Sequence, residues 1–231
     1  MSLAGEGVVA IWNDILPEGR ADFYEWHNRE HMPERVGIPG FRRGRRYIAL
    51  DARPEFFTLY ETDSAHTLAG ADYLSRLDNP TPWTRRAVQA FRNVSRSLCR
   101  VALSLGTGQG GTILTWRYDV AEGREEEHRR LLAHTVLPPL ADRPGIAGVH
   151  LCLADRAASS IETAEKRGRE KALIPNWVLL VEGASEVALL EAACREALPT
   201  ETLVGAGAVT PIGRGLYQLQ YSRCKTSGTA G

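Results

Sequence analysis

The chain alternates between short apolar runs typical of buried strands and longer stretches in which apolar residues recur every three or four positions. In the first half, strand-like runs lie at residues 7–12, 41–50, 55–61 and 91–105, and helix-like stretches lie at residues 20–36 and 65–77, with a short helical piece near residues 83–90. These elements follow the order strand, helix, strand, strand, helix, strand. That order is the split β-α-β arrangement of a ferredoxin-like unit.

The same order of elements starts again in the second half of the chain. Strands are predicted at residues 112–118, 148–153, 176–182 and 216–221, and helices at residues 122–140 and 186–198. Short sequences also recur in register: Glu-Gly-Arg occurs at residues 18–20 and 122–124, and Pro-Gly occurs at residues 39–40 and 144–145. Recurrence of this kind indicates duplication of one supersecondary unit.

A four-stranded sheet with two helices has only one face covered, so its other apolar face needs a partner. Two copies in one chain can cover each other. The predicted fold is therefore α+β, with two tandem ferredoxin-like βαββαβ units packing sheet to sheet as an intramolecular dimeric α+β barrel.

The predicted boundaries follow from this arrangement. Residues 1–105 form the first unit, residues 106–111 a glycine linker, residues 112–222 the second unit and residues 223–231 a tail. Four of the six linker residues are glycine, and a strand rather than a helix follows them. This favours a linker over a nucleotide-binding glycine loop, which opens into a helix. A charged insertion at residues 156–172 is expected to be a solvated loop, with a lid over a binding site as the alternative.

Composition places the chain among ordinary globular proteins. Its 231 residues are 43% hydrophobic and 24% charged, and the formal net charge is zero, which disfavours a nucleic-acid or anionic-membrane surface. The four cysteines lie far apart without a CxxC pair and are expected to be free thiols in a reducing compartment. Because no signal-peptide pattern and no apolar run of ~20 residues is visible, a cytoplasmic protein without membrane contact is predicted.

Polar and aromatic residues concentrate in residues 22–47. His27 and His31 are four positions apart and share one face of the predicted helix. Two histidines at this spacing can bind a metal, but zinc normally takes three or four protein ligands, and no other ligand cluster is visible. No metal is therefore predicted.

A histidine can also serve the fold alone, by satisfying a hydrogen bond at the end of a helix. Comparison of the two copies favours a site in the first one. Aligned on the Glu-Gly-Arg repeat, His27 falls against Leu131, and around the following proline His31 falls against Val136. Groups needed only for the fold should tend to persist in both copies, although drift at solvated positions would give the same difference.

The strand that follows the helix carries alternating arginines. Arg45 and Tyr47 share one face of this strand, and Arg46 lies on the other. Whichever face points into the barrel buries at least one arginine. A buried guanidinium needs a partner, either a carboxylate such as Glu61 or Asp51 or an anionic ligand.

The pattern W-x-x-x-E-H-x-P, followed by V-x-x-P-G-F and R-R-Y, resembles the EthD-like branch of the dimeric α+β-barrel superfamily. The residues that carry the match are Trp26, Glu30, His31, Pro33, Val36, Pro39, Gly40, Phe41, Arg45, Arg46 and Tyr47. The second unit matches mainly through its order of elements and its Pro-Gly pair. The resemblance implies a pocket between sheet and helices near His31. Members usually carry one unit per chain, so this chain departs from the family by carrying two, which leaves open whether it has one site or two.

The resemblance also bounds the function without settling it, since relatives include cofactor-independent oxygenases, isomerases, decarboxylases and haem proteins. The first hypothesis is an enzyme acting on a small, partly apolar compound. In it, His31 is the general acid or base, and Arg46 or Arg45 holds a carboxylate or a developing oxyanion. The residues expected to bind substrate are His27, Trp26, Tyr47, Arg45 and Glu30.

The second hypothesis is a non-catalytic binding or accessory protein that uses the same pocket. A haem protein is the third, and it is disfavoured because the chain has no CxxCH motif and no axial histidine stands out in the second unit. No cofactor is predicted. The sequence leaves open whether the protein is an enzyme, what the small-molecule ligand is, and whether two such pseudo-dimers pair as a homodimer.

Overall fold

A computed structural model of the protein describes residues 2–161, 163–164 and 174–226, and within them eight strands form one closed barrel. The strands are β1 Gly7–Ile15, β2 Phe41–Asp51, β3 Phe56–Thr62, β4 Phe91–Gly106, β5 Thr112–Val120, β6 Ile146–Ala154, β7 Trp177–Gly183 and β8 Ala208–Cys224. Around the barrel their order is β1-β3-β2-β8-β5-β7-β6-β4, and all neighbours are antiparallel.

Each half of the barrel is one ferredoxin-like unit, with the order β4-β1-β3-β2 in the first and β8-β5-β7-β6 in the second. The predicted fold class is thus confirmed. The last strand of each unit crosses into the other unit: β4 pairs first with β1 and then with β6, and β8 pairs first with β5 and then with β2. These two crossing strands join the units.

The helices pack on the outer faces of the two sheets and cover apolar clusters there, while a separate cluster fills the barrel interior. They are α1 Arg20–Trp26, α2 Met32–Gly37, α3 Ala71–Asp78, α4 Pro82–Ala87, α5 Glu125–Leu131, α6 Leu137–Ala141, α7 Arg156–Ser160, α8 Val187–Ala197 and α9 Thr200–Gly205. Every helix that the structure describes is too short or too polar to span a lipid bilayer.

Three predicted elements differ from the structure. The helix expected at residues 65–77 is a 3-10 turn, Ala65–Ala69, followed by α3, because Gly70 is extended between them. Strand β8 begins well before residue 216 and runs to Cys224, two residues into the predicted tail. Of the predicted charged insertion, the start forms α7, and much of the rest lies outside the described residues, as does the end of the tail.

The sheet register relates the two units residue by residue. Val8 of β1 lies opposite Glu61 of β3, and Ile113 of β5 lies opposite Glu182 of β7. The two glutamates therefore occupy equivalent places. This correspondence also fixes which side chains of the second unit stand where the first unit carries its polar residues.

Both units contain a π-helical turn at the same place, His27–His31 between α1 and α2, and Leu132–Val136 between α5 and α6. Each wide turn comes just before a proline, which has no N–H to continue the ladder of an α-helix. The turn makes His27 equivalent to Leu132, so the alignment on Glu-Gly-Arg, which sets it against Leu131, is one residue out. Since both units keep the turn, it belongs to the fold and does not by itself mark a site.

The predicted glycine linker is partly built into the barrel. Gly106 has a φ of 101°, in the region that favours glycine, and leads out of β4. Gly110 is buried, its N–H donates to Glu182 Oε2 at 3.0 Å, and a Cβ placed on it would lie 2.1 Å from the carbonyl oxygen of Gly183. A Cβ at Gly111 would meet nothing within 4 Å.

Gly110→Ala should therefore destabilise the protein while Gly111→Ala should not. The new methyl group at residue 110 has to displace backbone, and overpacking of this kind costs about 1–3 kcal/mol. Urea unfolding of both variants checks this, with Gly111→Ala as the matched control from the same segment. Equal free energies of unfolding for the two variants would show that the segment is a free linker.

Candidate functional site

A small cavity lies in the first unit, between the outer face of the sheet and the helical segment that contains the π-turn. Its volume is about 40 Å³, room for about three water molecules at roughly 10–15 Å³ each. Of the seven predicted site residues, three line it: Trp26, His27 and His31. The polar lining residues that the sequence analysis missed are Asn13, Arg35, Thr58, Tyr60, Tyr73 and Arg96.

The π-turn places the two histidines together. The N–H of Met32 bonds back to the carbonyl of His27, and both imidazoles are buried, with 3% of His27 and 7% of His31 exposed. Their ring centroids are 5.6 Å apart. The indole of Trp26 stacks on His31 with centroids 4.2 Å apart, and its Nε1 donates to Thr84 Oγ1 at 3.1 Å. The orientation of His31 is thus set by an aromatic face that is itself anchored to α4.

Arg46 acts on this pair from outside the cavity. Its guanidinium lies 3.2 Å from His27 Nδ1 and donates to Asn28 Oδ1 at 2.8 Å. Because a guanidinium can only donate, His27 Nδ1 accepts, and the proton of the neutral ring is on Nε2. Burial, followed by the charges of His31 and Arg46, lowers the pKa of His27 well below its usual value. His27 is therefore neutral near pH 7.

Glu30 lies beside the cavity and is not among its lining residues. Its Oε1 accepts hydrogen bonds from Thr81 Oγ1 at 2.5 Å and from Thr84 Oγ1 at 3.3 Å. Thr81 also caps α4, since its hydroxyl accepts from the N–H of Thr84. The geometry gives Glu30 a part in joining the π-turn to α4, and its contact with substrate stays a prediction.

Arg45 and Tyr47 point to the other side of the sheet, into the barrel. Both side chains are fully buried, and the Arg45 guanidinium lies 5.7 Å from the centroid of the Tyr47 ring. Burial raises the pKa of the Tyr47 hydroxyl, which has no hydrogen-bond partner among the described residues. The structure does not bring these two residues to the cavity near His31.

The partners of Arg45 are carboxylates of both units. Its Nε donates to Glu61 at 2.9 Å, and its two terminal nitrogens donate to Glu182 at 2.8 and 3.0 Å. Arg43 also pairs with Glu61, and His150 lies 3.4 Å from Glu182. We call these five residues the barrel network. It supplies the carboxylate partner that a buried arginine requires and links β2 and β3 to β7.

Within the barrel network, Glu182 is held as a carboxylate. Burial would raise its pKa, but the hydrogen bond from His150 and the charge of Arg45 outweigh burial and lower the pKa to about 2. The N–H of Gly110 adds a further hydrogen bond. The equivalent glutamate, Glu61, accepts from the N–H of Ala4 at 2.7 Å. Each glutamate thus also holds the segment that leads into the first strand of its own unit.

The second unit places apolar side chains where the first unit has its polar cavity. The correspondence pairs His27 with Leu132, His31 with Val136, Arg35 with Leu140, Thr58 with Leu179 and Tyr60 with Val181. These side chains belong to, or pack against, the apolar cluster of the second unit. The asymmetry marks the cavity of the first unit as the candidate site.

Some of the missed residues left a signal in the sequence. Arg35 follows His31 by four positions and so continues the stripe formed by the two histidines. Asn13 follows the apolar run of residues 7–12 as a polar break in a buried strand. Tyr73 and Arg96 left none, because they come from distant elements that meet only in the folded chain.

The arrangement offers little for a metal. Within the part of the chain that the structure describes, no three His, Cys, Asp or Glu side chains come together as a set of metal ligands. What the site offers instead is an imidazole pair in a largely aromatic cavity, with guanidinium and hydroxyl groups at its edge.

No protein-family model matches the chain, and neither does any curated protein. Solved structures do match. An anthrone oxidase-like protein superposes with a TM-score of 0.66 at 15% identity, over 97% of this chain and 95% of that one. A "putative monooxygenase" from Fusobacterium nucleatum gives 0.60 at 10% identity, over 96% of each chain. A "putative chlorite dismutase" gives 0.56 at 11% identity, over 94% of this chain and 95% of that one. The chain shares the dimeric α+β-barrel fold with these proteins.

Proposed function

We propose that the cavity of the first unit binds a small, partly apolar compound and that His31 transfers a proton to or from it. The observation that carries this proposal is the pair of buried histidines in an aromatic cavity, at places where the second unit has Leu132 and Val136. The second unit builds the same turn with apolar side chains, so the fold does not require histidines at these places and their presence in the first unit calls for another reason.

The two histidines have different roles in this proposal. His27 stays neutral because burial and the nearby charges disfavour its protonated form. His31 is then the imidazole that takes up a proton, and the indole of Trp26, stacked on it at 4.2 Å, stabilises the resulting cation. An imidazole suits general acid–base work because its unperturbed pKa lies near neutral pH.

Arg46 is a positioning residue in this scheme. The sequence suggested that it would hold a carboxylate or an oxyanion directly, but its guanidinium contacts His27 and Asn28 and does not line the cavity. By fixing the tautomer of His27, it leaves Nε2–H as a donor. We assign that donor to the oxygen on which charge develops when a neighbouring carbon loses its proton.

Cofactor-independent oxygenation, isomerisation and decarboxylation all pass through an enolate or carbanion, which forms when a carbon loses a proton or CO2 and is consumed when it takes up a proton or reacts with oxygen. Of these we place oxygenation first, because two of the similar structures are named as an anthrone oxidase-like protein and a putative monooxygenase. In that case the substrate anion formed at His31 would react with molecular oxygen.

Size limits which compounds fit without movement. A cavity of about 40 Å³ is far below the ~300–1,000 Å³ of typical ligand pockets. Tyr73 and Leu77 of α3 form part of its wall, and they are the two buried residues of that helix. We propose that α3 moves away from the sheet when a substrate larger than a few atoms binds.

The test is hydrogen exchange on enolisable ketones, anthrone first. The protein is incubated with each compound in D2O without oxygen, and deuterium uptake is followed by mass spectrometry; oxygen consumption is then measured in air. The enzyme proposal expects exchange well above the buffer rate. Ligand-dependent thermal stabilisation without exchange would support the alternative, a non-catalytic binding or accessory protein. Absence of both would refute the site.

The proposal also includes duplication of one unit within the chain, the EthD-like branch of the superfamily, a cytoplasmic location and a homodimer. The matching π-turns and the equivalent Glu61 and Glu182 support duplication of one unit, with the boundary in residues 106–111. The motif around His31 supports the EthD-like branch. All four cysteines are free thiols, as in a reducing cytoplasm. A homodimer remains a prediction that gel filtration can test.

A further inference from the structure

The charge of the cavity lining is one-sided. Two arginines line it, Arg35 and Arg96. Among the described residues, no aspartate or glutamate does so. Arg35 is buried and has the neighbouring Glu34 carboxylate at 3.3 Å. Arg96 has no such neutralising partner in the part of the chain that the structure describes, so the positive charge of the cavity is concentrated at Arg96.

The hydrogen bonds of Arg96 make it different from the other arginines in the barrel wall. It is half-buried on β4, and its terminal nitrogen donates to the Tyr73 hydroxyl at 2.7 Å. Among the described residues it forms no ion pair with a carboxylate. By contrast, Arg45 on β2 is bound by Glu61 and Glu182. A guanidinium facing a cavity with only a phenol as acceptor has the capacity to bind an anion.

We infer that the ligand of this cavity is a small organic carboxylate, and that its carboxylate replaces the Tyr73 hydroxyl as the acceptor for Arg96. This inference rests on the proposed function and narrows its substrate class. A carboxylate offers two coplanar oxygens that match the guanidinium in a bidentate pair and brings a negative charge, whereas the Tyr73 hydroxyl offers one neutral oxygen. The exchange of a phenol for a carboxylate is therefore favourable.

The same exchange would open the cavity. The hydrogen bond from Arg96 to Tyr73 holds α3 against β4. The buried residues of α3 are Tyr73 and Leu77, so little else fixes the helix to the sheet. The existing volume of about 40 Å³ has room for roughly three water molecules. A compound as small as acetate therefore fits without movement of α3. Larger carboxylates need the Tyr73 hydroxyl to leave Arg96, which releases that end of α3.

The test uses pairs of compounds that differ only in charge: acetate with acetamide, and benzoate with benzamide. Affinities are measured by calorimetry on the wild type and three variants. Arg96→Met removes the guanidinium, Tyr73→Phe removes the competing acceptor, and Arg100→Met is the matched control, an exposed arginine on the same strand. Circular dichroism and thermal unfolding establish that each variant is folded.

We expect the wild type to prefer each carboxylate over its amide. Arg96→Met should weaken carboxylate binding by about 10- to 100-fold, the range for losing hydrogen bonds to a charged group, while amide binding changes little. Tyr73→Phe should strengthen carboxylate binding several-fold, and Arg100→Met should leave both unchanged.

Equal affinity of the wild type for carboxylate and amide would overturn the inference, as would equal losses for both in Arg96→Met. Absence of binding by all four compounds would do the same. Failure of the proposed function is recognised separately. Neutral ketones carry no carboxylate for Arg96 to bind, so deuterium exchange on them tests the proton transfer at His31 independently of the anion site. Exchange without any preference for carboxylates would therefore leave the proposed function standing and reject the anion site.

Discussion

Replacing His31 with glutamine is expected to lower the rate of substrate proton exchange by about 10²–10⁴-fold, the usual contribution of a positioned general acid or base. Glutamine is similar in length and polarity but cannot take up a proton near neutral pH. The stacking partner, Trp26, is held by its own hydrogen bond to Thr84 and should keep its place. The rate is measured by deuterium uptake on whichever ketone the wild type exchanges.

His66→Gln is the matched control, since His66 is an exposed histidine on a 3-10 turn away from the cavity. The His66→Gln variant should catalyse deuterium uptake by the substrate at the wild-type rate. Ligand affinity separates the two roles of His31: a proton-transfer residue affects turnover far more than binding. Equal losses of affinity and of rate in His31→Gln would mean that His31 only binds the ligand. The hypothesis of a non-catalytic binding or accessory protein would then replace the enzyme hypothesis.

The largest effect on stability is expected from Glu182→Gln in the barrel network. The amide keeps the shape of the side chain but removes a charge that Arg45 binds through two hydrogen bonds, at 2.8 and 3.0 Å. Removing one partner of a buried ion pair costs about 3–5 kcal/mol, because the remaining charge stays buried. Glu196→Gln is the control, since its pair with Arg143 is on the surface with the glutamate side chain 70% exposed, where ~0–1 kcal/mol is usual.

The pH dependence of unfolding provides an independent check on Glu182. With a pKa of about 2 in the folded chain and about 4.3 in the unfolded chain, it contributes roughly 3 kcal/mol near neutral pH. That contribution is present above the unfolded pKa and is lost as pH falls from about 4 towards 2. Urea unfolding of the wild type and of Glu182→Gln should show that the difference between their free energies of unfolding shrinks over this range. A constant difference would mean that Glu182 does not act through its charge.

Much of the fold follows from apolar periodicity in the sequence. What periodicity could not supply is the first half of β8, where Pro211, Gly213 and Gly215 interrupt the apolar pattern, yet pairing with β5 still makes a strand. A segment that pairs with a long neighbouring strand needs fewer favourable residues of its own, since β5 supplies the hydrogen bonds along this half of β8.

The site was predictable only in part, for a reason visible in β2. Alternation shows that Arg45 and Arg46 lie on opposite faces, but not which face meets the helices. Closure of the barrel decides that: Arg46 is directed to His27, and Arg45 to Glu61 and Glu182. Spacing along one helix brought His27 and His31 together from sequence alone, whereas partners from other elements required the tertiary structure.

The crossing of β8 into the first unit bears on when the site can form during synthesis. Arg46 Nε lies 3.3 Å from Gln220 Oε1, and its guanidinium packs over the ring of Tyr221; both residues belong to the half of β8 that pairs with β2. A ribosome releases β8 after all seven other strands. The histidine site is therefore encoded early in the chain and completed late, so a nascent chain that stops short of β8 carries His27 and His31 without the surroundings that hold Arg46 against them.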